Sequence, residues 1–161
     1  MRSKPVCLHF EFNSFRDLPS KIDDVIESED KTDSNGNTWK VQLYPGGCSD
    51  AVDQGMIALI LLNTGDTDVD AKFSFIVRND LGYAVRTETD NAFHCFPSHG
   101  REGYGYGYSD TTFIKRSRII EEENEILINK ALHIDVSIQV KVQKEELYRP
   151  QTPHTHNMLA C

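Results

Sequence analysis

The stretch of sequence that decides the fold is NTWKVQLYPGG, residues 37–47. Trp39, Val41 and Leu43 alternate in this stretch with more polar residues, so an extended chain here has one apolar and one polar face. A Pro-Gly-Gly turn ends the run. This period of two predicts a half-buried β-strand that places Trp39 in a hydrophobic core.

The same period of two recurs along most of the chain. Alternating segments cover residues 6–12, 69–77 and 132–142. Turn signals separate them, including Asn35-Gly36 and residues 79–82, which suit tight connections between neighbouring strands. Roughly eight short strands joined by such turns are typical of an all-β protein, an antiparallel β-sandwich.

Residues 56–62 are apolar at every position and do not alternate. The polar turn that follows favours a strand buried on one face and covered, or lining a groove, on the other; a short buried helix is the alternative. The remaining patterns are weaker. They predict strands at 25–28, 83–87, 92–96 and 126–128, and a helical turn over 110–118 capped by Asp110.

Length and composition indicate one globular domain. The chain has 161 residues, of which 39% are hydrophobic and 26% charged, values found in globular rather than disordered proteins. The apolar pattern ends after Val142. We therefore predict an N-terminal lead-in at 1–7, a β-sandwich domain at 8–143 and a flexible C-terminal tail at 144–161.

Charge and targeting signals narrow the partners and the location. A formal net charge of -8 argues against nucleic acid and against an anionic membrane surface. No apolar run approaches the roughly 20 residues of a membrane helix, and the N-terminal residues lack the apolar core of a signal peptide. The four cysteines show no CxxC spacing and are expected to stay reduced. These features predict a cytoplasmic protein, with the nucleus as an alternative.

The sequence shows no pattern typical of an enzyme. It lacks the GxSxG, HExxH, P-loop and dinucleotide motifs. His94 and Cys95 are adjacent, so on a strand they would point to opposite faces and could not act as a base and nucleophile pair. His154 and His156 have no further metal ligands beside them. We therefore predict no catalytic residues, no cofactor and no metal site.

Several segments also occur in an order that is known from one protein family. The strongest is residues 37–47, which is similar to a Trp-x-Leu-x-Leu/Val-x-Pro-x-Gly signature. Together the segments resemble the MATH domain, also called the meprin and TRAF-C homology domain, from Leu8 to about Val142. The other matching segments are Phe10–Phe15, Ile26–Ser28, Met56–Leu62, Ala71–Gly82, Tyr106–Tyr108, Phe113-Ile114 and Asn129–Val136.

The resemblance implies an eight-stranded antiparallel sandwich that recognises peptides. MATH domains hold an extended peptide in a shallow groove, and in some ubiquitin-ligase adaptors this peptide is rich in Ser and Thr around an apolar residue. The alternation of the strand leaves Phe73 equally open to a core position. The groove positions of those adaptors fall on Leu59, Phe73, Phe93, Tyr106 and Tyr108.

We therefore expect a protein–protein interaction module that binds a short extended, Ser/Thr-rich segment of a partner protein and catalyses nothing. The resemblance suggests substrate recognition in a ubiquitin-ligase pathway. The alternating Gly and Tyr residues of 103–108 favour an aromatic contact surface over a phosphate-binding loop. A scaffold that associates with itself through exposed strand edges is the alternative, and a carbohydrate-binding sandwich is a third hypothesis.

Overall fold

The computed structural model describes residues 4–49, 55–98, 106–107 and 113–141. In these residues strands dominate, and the all-β prediction is confirmed. One short α-helix, α1 (Arg116–Ile120), and 3-10 turns at Phe15–Asp17 and Glu122–Asn124 accompany them. The strands are β1 (Val6–Phe12), β2 (Ile26–Glu27), β3 (Lys31–Thr32), β4 (Thr38–Tyr44), β5 (Met56–Asn63), β6 (Val69–Arg78), β7 (Ala84–Phe96), β8 (Tyr106–Gly107), β9 (Ile114–Lys115) and β10 (Leu132–Val140).

The strands form two antiparallel sheets. The first, sheet A, has the order β1-β10-β6-β7, and the second, sheet B, has the order β2-β4-β5-β8. The short strands β3 and β9 pair with β4 and β5. Strand β10 therefore lies between β1 and β6, although it is the last described strand in the sequence.

The two sheets share one hydrophobic core. Alternate residues of each strand point inward, as the period of two requires, and the buried side chains of both sheets form a single cluster. Trp39 of β4 meets the Phe96 ring of β7 edge to face, with ring centroids 5.2 Å apart. This contact joins sheet B to sheet A, so the arrangement is sandwich-like.

Trp39 is fully buried, as predicted, and its one polar atom is hydrogen-bonded. The indole Nε1 donates to Asp33 Oδ2 at 3.0 Å. The other oxygen of Asp33 accepts from the backbone N–H groups of Asn35 and Asn37 at 2.8 and 3.0 Å. Asp33 therefore orders the turn before β4 and satisfies the indole at the same time, which is why a carboxylate only 6% exposed is tolerated.

Two sequence predictions for the central strands can be compared directly with the structure. The apolar run 56–62 forms strand β5, and the alternative of a short helix is wrong. The segments 83–87 and 92–96, predicted as separate strands, belong to the single long strand β7. Polar residues between them obscured its continuity, because that part of β7 has an exposed face.

Other local predictions fail near the end of the described chain. Residues 126–128 form no strand; Ile128 makes only an isolated bridge to Ala131. The residue that precedes α1 is Lys115, which provides no side-chain cap. Asp110, the predicted cap, lies outside the described residues. A helix of one turn is held by its packing rather than by a cap, so the cap rule located its start wrongly.

The domain boundaries and the cysteines add two details. Strand β1 begins at Val6, inside the predicted lead-in, while the predicted tail at 144–161 lies outside the described residues. Cys7 and Cys48 are reduced, but Cys95 is disulfide-bonded, so the expectation that all four stay reduced is wrong for Cys95. Sequence spacing detects only nearby cysteine pairs.

Of the helices described, none has the length and apolar character needed to cross a membrane.

Replacing Trp39 by Ala should lower the free energy of unfolding by about 3–5 kcal/mol, because a large buried ring is lost and the surrounding core collapses only partly. Trp39→Phe is the matched control, since it keeps an aromatic ring against Phe96 and should lose clearly less. Urea unfolding followed by circular dichroism measures both variants. A loss below about 1 kcal/mol for the Ala variant would contradict this role of Trp39.

Candidate functional site

The residues predicted to contact a peptide are divided between the two sheets. Leu59 of β5 and Phe73 of β6 are 0% and 3% exposed, respectively. The backbone of Tyr106 pairs with Leu61 in sheet B, and Tyr108 lies outside the described residues. The predicted set therefore does not come together as one surface in the described residues.

Leu59 and Phe73 are core residues, so the prediction that they line a surface groove needs correction. Leu59 pairs with Leu43, and directly opposed residues of an antiparallel pair share a face, which here is the inner one. The Phe73 ring packs 5.6 Å from Phe96. Neither side chain can reach a peptide on the outer face. The neighbour of Leu59 that does point outward is Ile60, which is partly buried.

Phe93 is the exception, because it lies on the surface of sheet A with 38% of its area exposed. A register shift between β6 and β7 explains this position. Ala71 pairs with His94 and Phe73 pairs with Asp90, so residues 91–93 stand opposite Lys72 alone. Such a bulge interrupts the ladder and re-aims the side chains within it.

Asp90 holds this bulge in place. One of its carboxylate oxygens accepts a hydrogen bond from the backbone N–H of Ala92 at 3.0 Å. The other oxygen accepts from His94 Nε2 at 2.6 Å. The two bonds connect the start and the end of the bulge, so the residues between them, including Phe93, are fixed to a strand rather than to a loose loop.

Two lysines approach the exposed ring. Lys72 Nζ lies 5.0 Å and Lys141 Nζ 5.9 Å from the centroid of Phe93. Both distances are within the range of cation–π attraction, worth about 0.5–1 kcal/mol at exposed positions. The ring is therefore contacted by one cation of the neighbouring strand β6 and by one that directly follows β10. We call Phe93, Lys72 and Lys141 the Phe93 patch.

A shallow groove of about 160 Å³ adjoins the Phe93 patch, with which it shares Lys72. Its lining is mostly polar. Ser74 Oγ donates to Thr89 Oγ1 at 3.0 Å across the β6–β7 pair. Hydroxyl and amide groups of this kind can bond the backbone of an extended peptide. The lining residues are Pro5, Lys72, Phe73, Ser74, Thr89, Asp90, Asn91, Ser137 and Gln139.

A larger cavity, of about 470 Å³, lies among the loops. Ser14, Glu125 and Lys130 line it in left-handed backbone conformations. A hydrogen bond that the protonated Glu125 carboxyl donates to Asp80, and the negative charge of Asp80, raise the pKa of Glu125. The Arg16 guanidinium, also in the lining, lies 3.5 Å from a carboxylate of Glu122. None of the predicted groove residues that the structure describes lines this cavity, and its charges partly pair with one another.

A further group that sequence reasoning missed lies on the outer face of sheet A. His9, Glu11 and His133 place one ligand atom each within 4.8 Å of the other two. The signal was present as two His-x-acid triplets, at 9–11 and 133–135. Antiparallel pairing sets these triplets side by side in opposite directions, so each histidine faces an acid. Only the register of β1 and β10 reveals this.

Comparison with known proteins identifies no family for the chain. No model of a known protein family matches it, and no curated protein matches it. The assignment of a function therefore depends on the sites themselves.

Replacing Asp90 by Ala should loosen the bulge without unfolding the domain. The N–H of Ala92 loses its acceptor, so hydrogen exchange at residues 91–93 should accelerate, while the free energy of unfolding should fall by no more than about 1 kcal/mol. Exchange measured by mass spectrometry tests this. Asp90→Asn, which keeps an acceptor oxygen, is the control and should exchange more slowly than the Ala variant. Equal exchange in the wild type and Asp90→Ala would contradict the role of Asp90.

Proposed function

We propose that the chain is a non-catalytic peptide-binding module of the MATH class, in which an extended segment of a partner protein lies across the Phe93 patch and the adjoining groove. The MATH-like segment 37–47 and the two antiparallel sheets of the described chain support the class. By the same resemblance, the proposed partner segment is rich in Ser and Thr, and the proposed context is a ubiquitin-ligase pathway in the cytoplasm or nucleus.

The observation that carries this proposal is the exposure of Phe93 on a bulge held by hydrogen bonds. A large aromatic side chain that is 38% exposed leaves apolar area unburied, and its burial by a ligand is favourable. Because the bulge is fixed by Asp90, little conformational entropy is lost when a partner packs on the ring. Aromatic side chains with these properties are common binding hot spots.

The position of β7 suits an extended ligand. Strand β7 is the last strand of sheet A in the described part of the chain. A strand in this position can accept another strand by backbone hydrogen bonding, while alternate side chains of the added segment contact the sheet surface. A Ser- or Thr-containing segment could then bond the hydroxyl and amide groups of the groove.

The charge of the patch indicates which peptides should bind best. Lys72 and Lys141 place two cations around Phe93, although the whole chain carries a net charge of -8. A peptide with an acidic or phosphorylated residue next to an apolar residue would complement this local charge. We therefore propose an apolar residue packed on Phe93, with a negative group beside it.

Replacing Phe93 by Ala should weaken binding of a selected Ser/Thr-rich peptide about tenfold, which corresponds to about 1.4 kcal/mol. Tyr83→Ala is the matched control, because Tyr83 is an aromatic residue with 69% exposure outside the bulge. Fluorescence anisotropy with a labelled peptide measures both affinities. A parallel Tyr106→Ala/Tyr108→Ala variant tests the Gly/Tyr segment separately.

Two outcomes would contradict this use of the Phe93 patch. One is unchanged binding by Phe93→Ala, and the other is an equal loss by Phe93→Ala and Tyr83→Ala. Light scattering of the same samples tests the alternative of a self-associating scaffold. A mass that doubles with concentration, without peptide binding, would favour that alternative.

Replacing Lys72 and Lys141 together by Gln should weaken the binding of an acidic or phosphorylated peptide by about three- to tenfold. Exposed charge pairs each contribute about 0.2–1 kcal/mol, and salt screens them. The variant should also bind with a smaller dependence on salt than the wild type. Binding of a neutral peptide of the same length is the control and should change little. An unchanged salt dependence would contradict a direct contact between the lysines and the peptide.

A further inference from the structure

The outer face of sheet A carries two histidines and two carboxylates in a crossed arrangement. His9 of β1 pairs with Asp135 of β10, and Glu11 pairs with His133. Residues two apart on a strand share a face, so all four side chains point outward together. Arg78 of β6 lies beside them, with its Nε 3.2 Å from Asp135 Oδ2.

The two imidazole rings meet at their nitrogens. His9 Nε2 lies 2.8 Å from His133 Nδ1, and the rings are inclined by 33° with centroids 4.9 Å apart. The rings therefore approach edge to edge rather than face to face. Two nitrogen lone pairs at this distance would repel each other. The contact is therefore stable when one nitrogen carries a hydrogen, or when a proton or a metal cation lies between the two atoms.

The outer partners of the rings favour one tautomer of each histidine. Asp135 Oδ1 lies 2.7 Å from His9 Nδ1, and a carboxylate only accepts, so this nitrogen carries the hydrogen and Nε2 keeps its lone pair. His133 Nε2 lies 3.4 Å from the Ile128 carbonyl oxygen, which also accepts only, so a hydrogen on this Nε2 leaves Nδ1 with its lone pair. In this tautomer two lone pairs face each other, an arrangement that a metal cation or an extra proton stabilises.

We propose that His9, Glu11 and His133 bind a divalent transition-metal ion, for which Zn²⁺ is the probe. Two imidazole nitrogens and a carboxylate oxygen are a donor set typical of zinc sites that keep a fourth position open. A carboxylate or a carbonyl commonly orients a metal-binding histidine from its far nitrogen, and Asp135 and the Ile128 carbonyl are placed for this role here.

The distances suit a zinc ion after small side-chain movements. Tetrahedral zinc binds nitrogen and oxygen at about 2.0–2.2 Å, which sets neighbouring ligand atoms about 3.4 Å apart. The separations are 2.8 Å between the two nitrogens, and 3.7 and 3.8 Å from these nitrogens to Glu11 Oε1. Shifts of roughly 0.6 Å or less therefore bring each pair to the required spacing.

The surroundings leave the site accessible. The side chains of His9 and Glu11 are 49% and 50% exposed, so an ion can enter from solvent and a fourth ligand can come from water or from another molecule. Cys7, two residues before His9, is not among the proposed ligands. Burial, with a contribution from Asp135, raises the pKa of its thiol.

Isothermal titration with zinc chloride in a non-chelating buffer tests the site. The starting protein carries His154→Gln and His156→Gln, because that histidine pair could bind zinc on its own. We expect one zinc per chain in this protein. Adding His9→Gln or His133→Gln should weaken zinc binding at least about tenfold, and Glu11→Gln and Asp135→Asn should weaken it by a similar factor. His94→Gln is the control and should bind zinc unchanged.

Two further measurements separate a metal site from a structural role. Zinc should shift the ring nitrogen resonances of His9 and His133 in NMR spectra, and it should raise the thermal midpoint of the starting protein but not of the double variant His9→Gln/His133→Gln. Circular dichroism confirms that each variant is folded. The proposal is overturned if the starting protein binds no zinc at micromolar concentration, which would mean that His9 and His133 share only a proton. It is also overturned if the double variant binds zinc as well as the starting protein does.

Discussion

The contact on which the rest of the structure depends is the one between Trp39 and Phe96. Trp39 belongs to sheet B and Phe96 to sheet A, so their edge-to-face packing at 5.2 Å ties the two layers together. The hydrogen bond from the indole to Asp33 removes the cost of burying a polar atom at this place. The same carboxylate holds the turn before β4. Asp33, Trp39 and Phe96 therefore link the packing of the two sheets to the conformation of this turn.

Because the inner faces of both sheets form this core, the candidate sites lie on the outer face of sheet A and at the bulge in β7. The Phe93 patch exists because a bulge releases three residues of β7 from the ladder. We call His9, Glu11, His133 and Asp135 the histidine cluster. It exists because β1 and β10 align two His-x-acid triplets in opposite directions. Neither site adds a cavity to the core, and substitutions in either should therefore change binding more than stability.

The sequence predicted the strands, which depend on hydrophobic periodicity. It did not predict the surface sites, whose residues are brought together by the pairing between strands. The segment around Trp39 and the apolar run of β5 became strands, since alternation and β-branched or apolar residues act locally. Leu59 and Phe73 were assigned to a groove by resemblance, but both are core residues. The alternation around Phe73 had left a core position equally open, whereas the run that contains Leu59 does not alternate and gave no such signal. Phe93 remained a surface residue because a bulge, invisible to a fixed period, turned it outward. The histidine cluster could not be found without the register between strands that are 120 residues apart or more.

Strand β10 contributes to both candidate sites. His133 and Asp135 belong to the histidine cluster, whereas Ser137 and Gln139 line the groove next to the Phe93 patch. At about 3.3 Å per residue, the six steps from His133 to Gln139 span roughly 20 Å of one strand. A slip of this strand by one residue would turn all four side chains into the core, which would remove the histidine cluster and the β10 lining of the groove in one step. The histidine cluster and the groove therefore depend on the same register of β10.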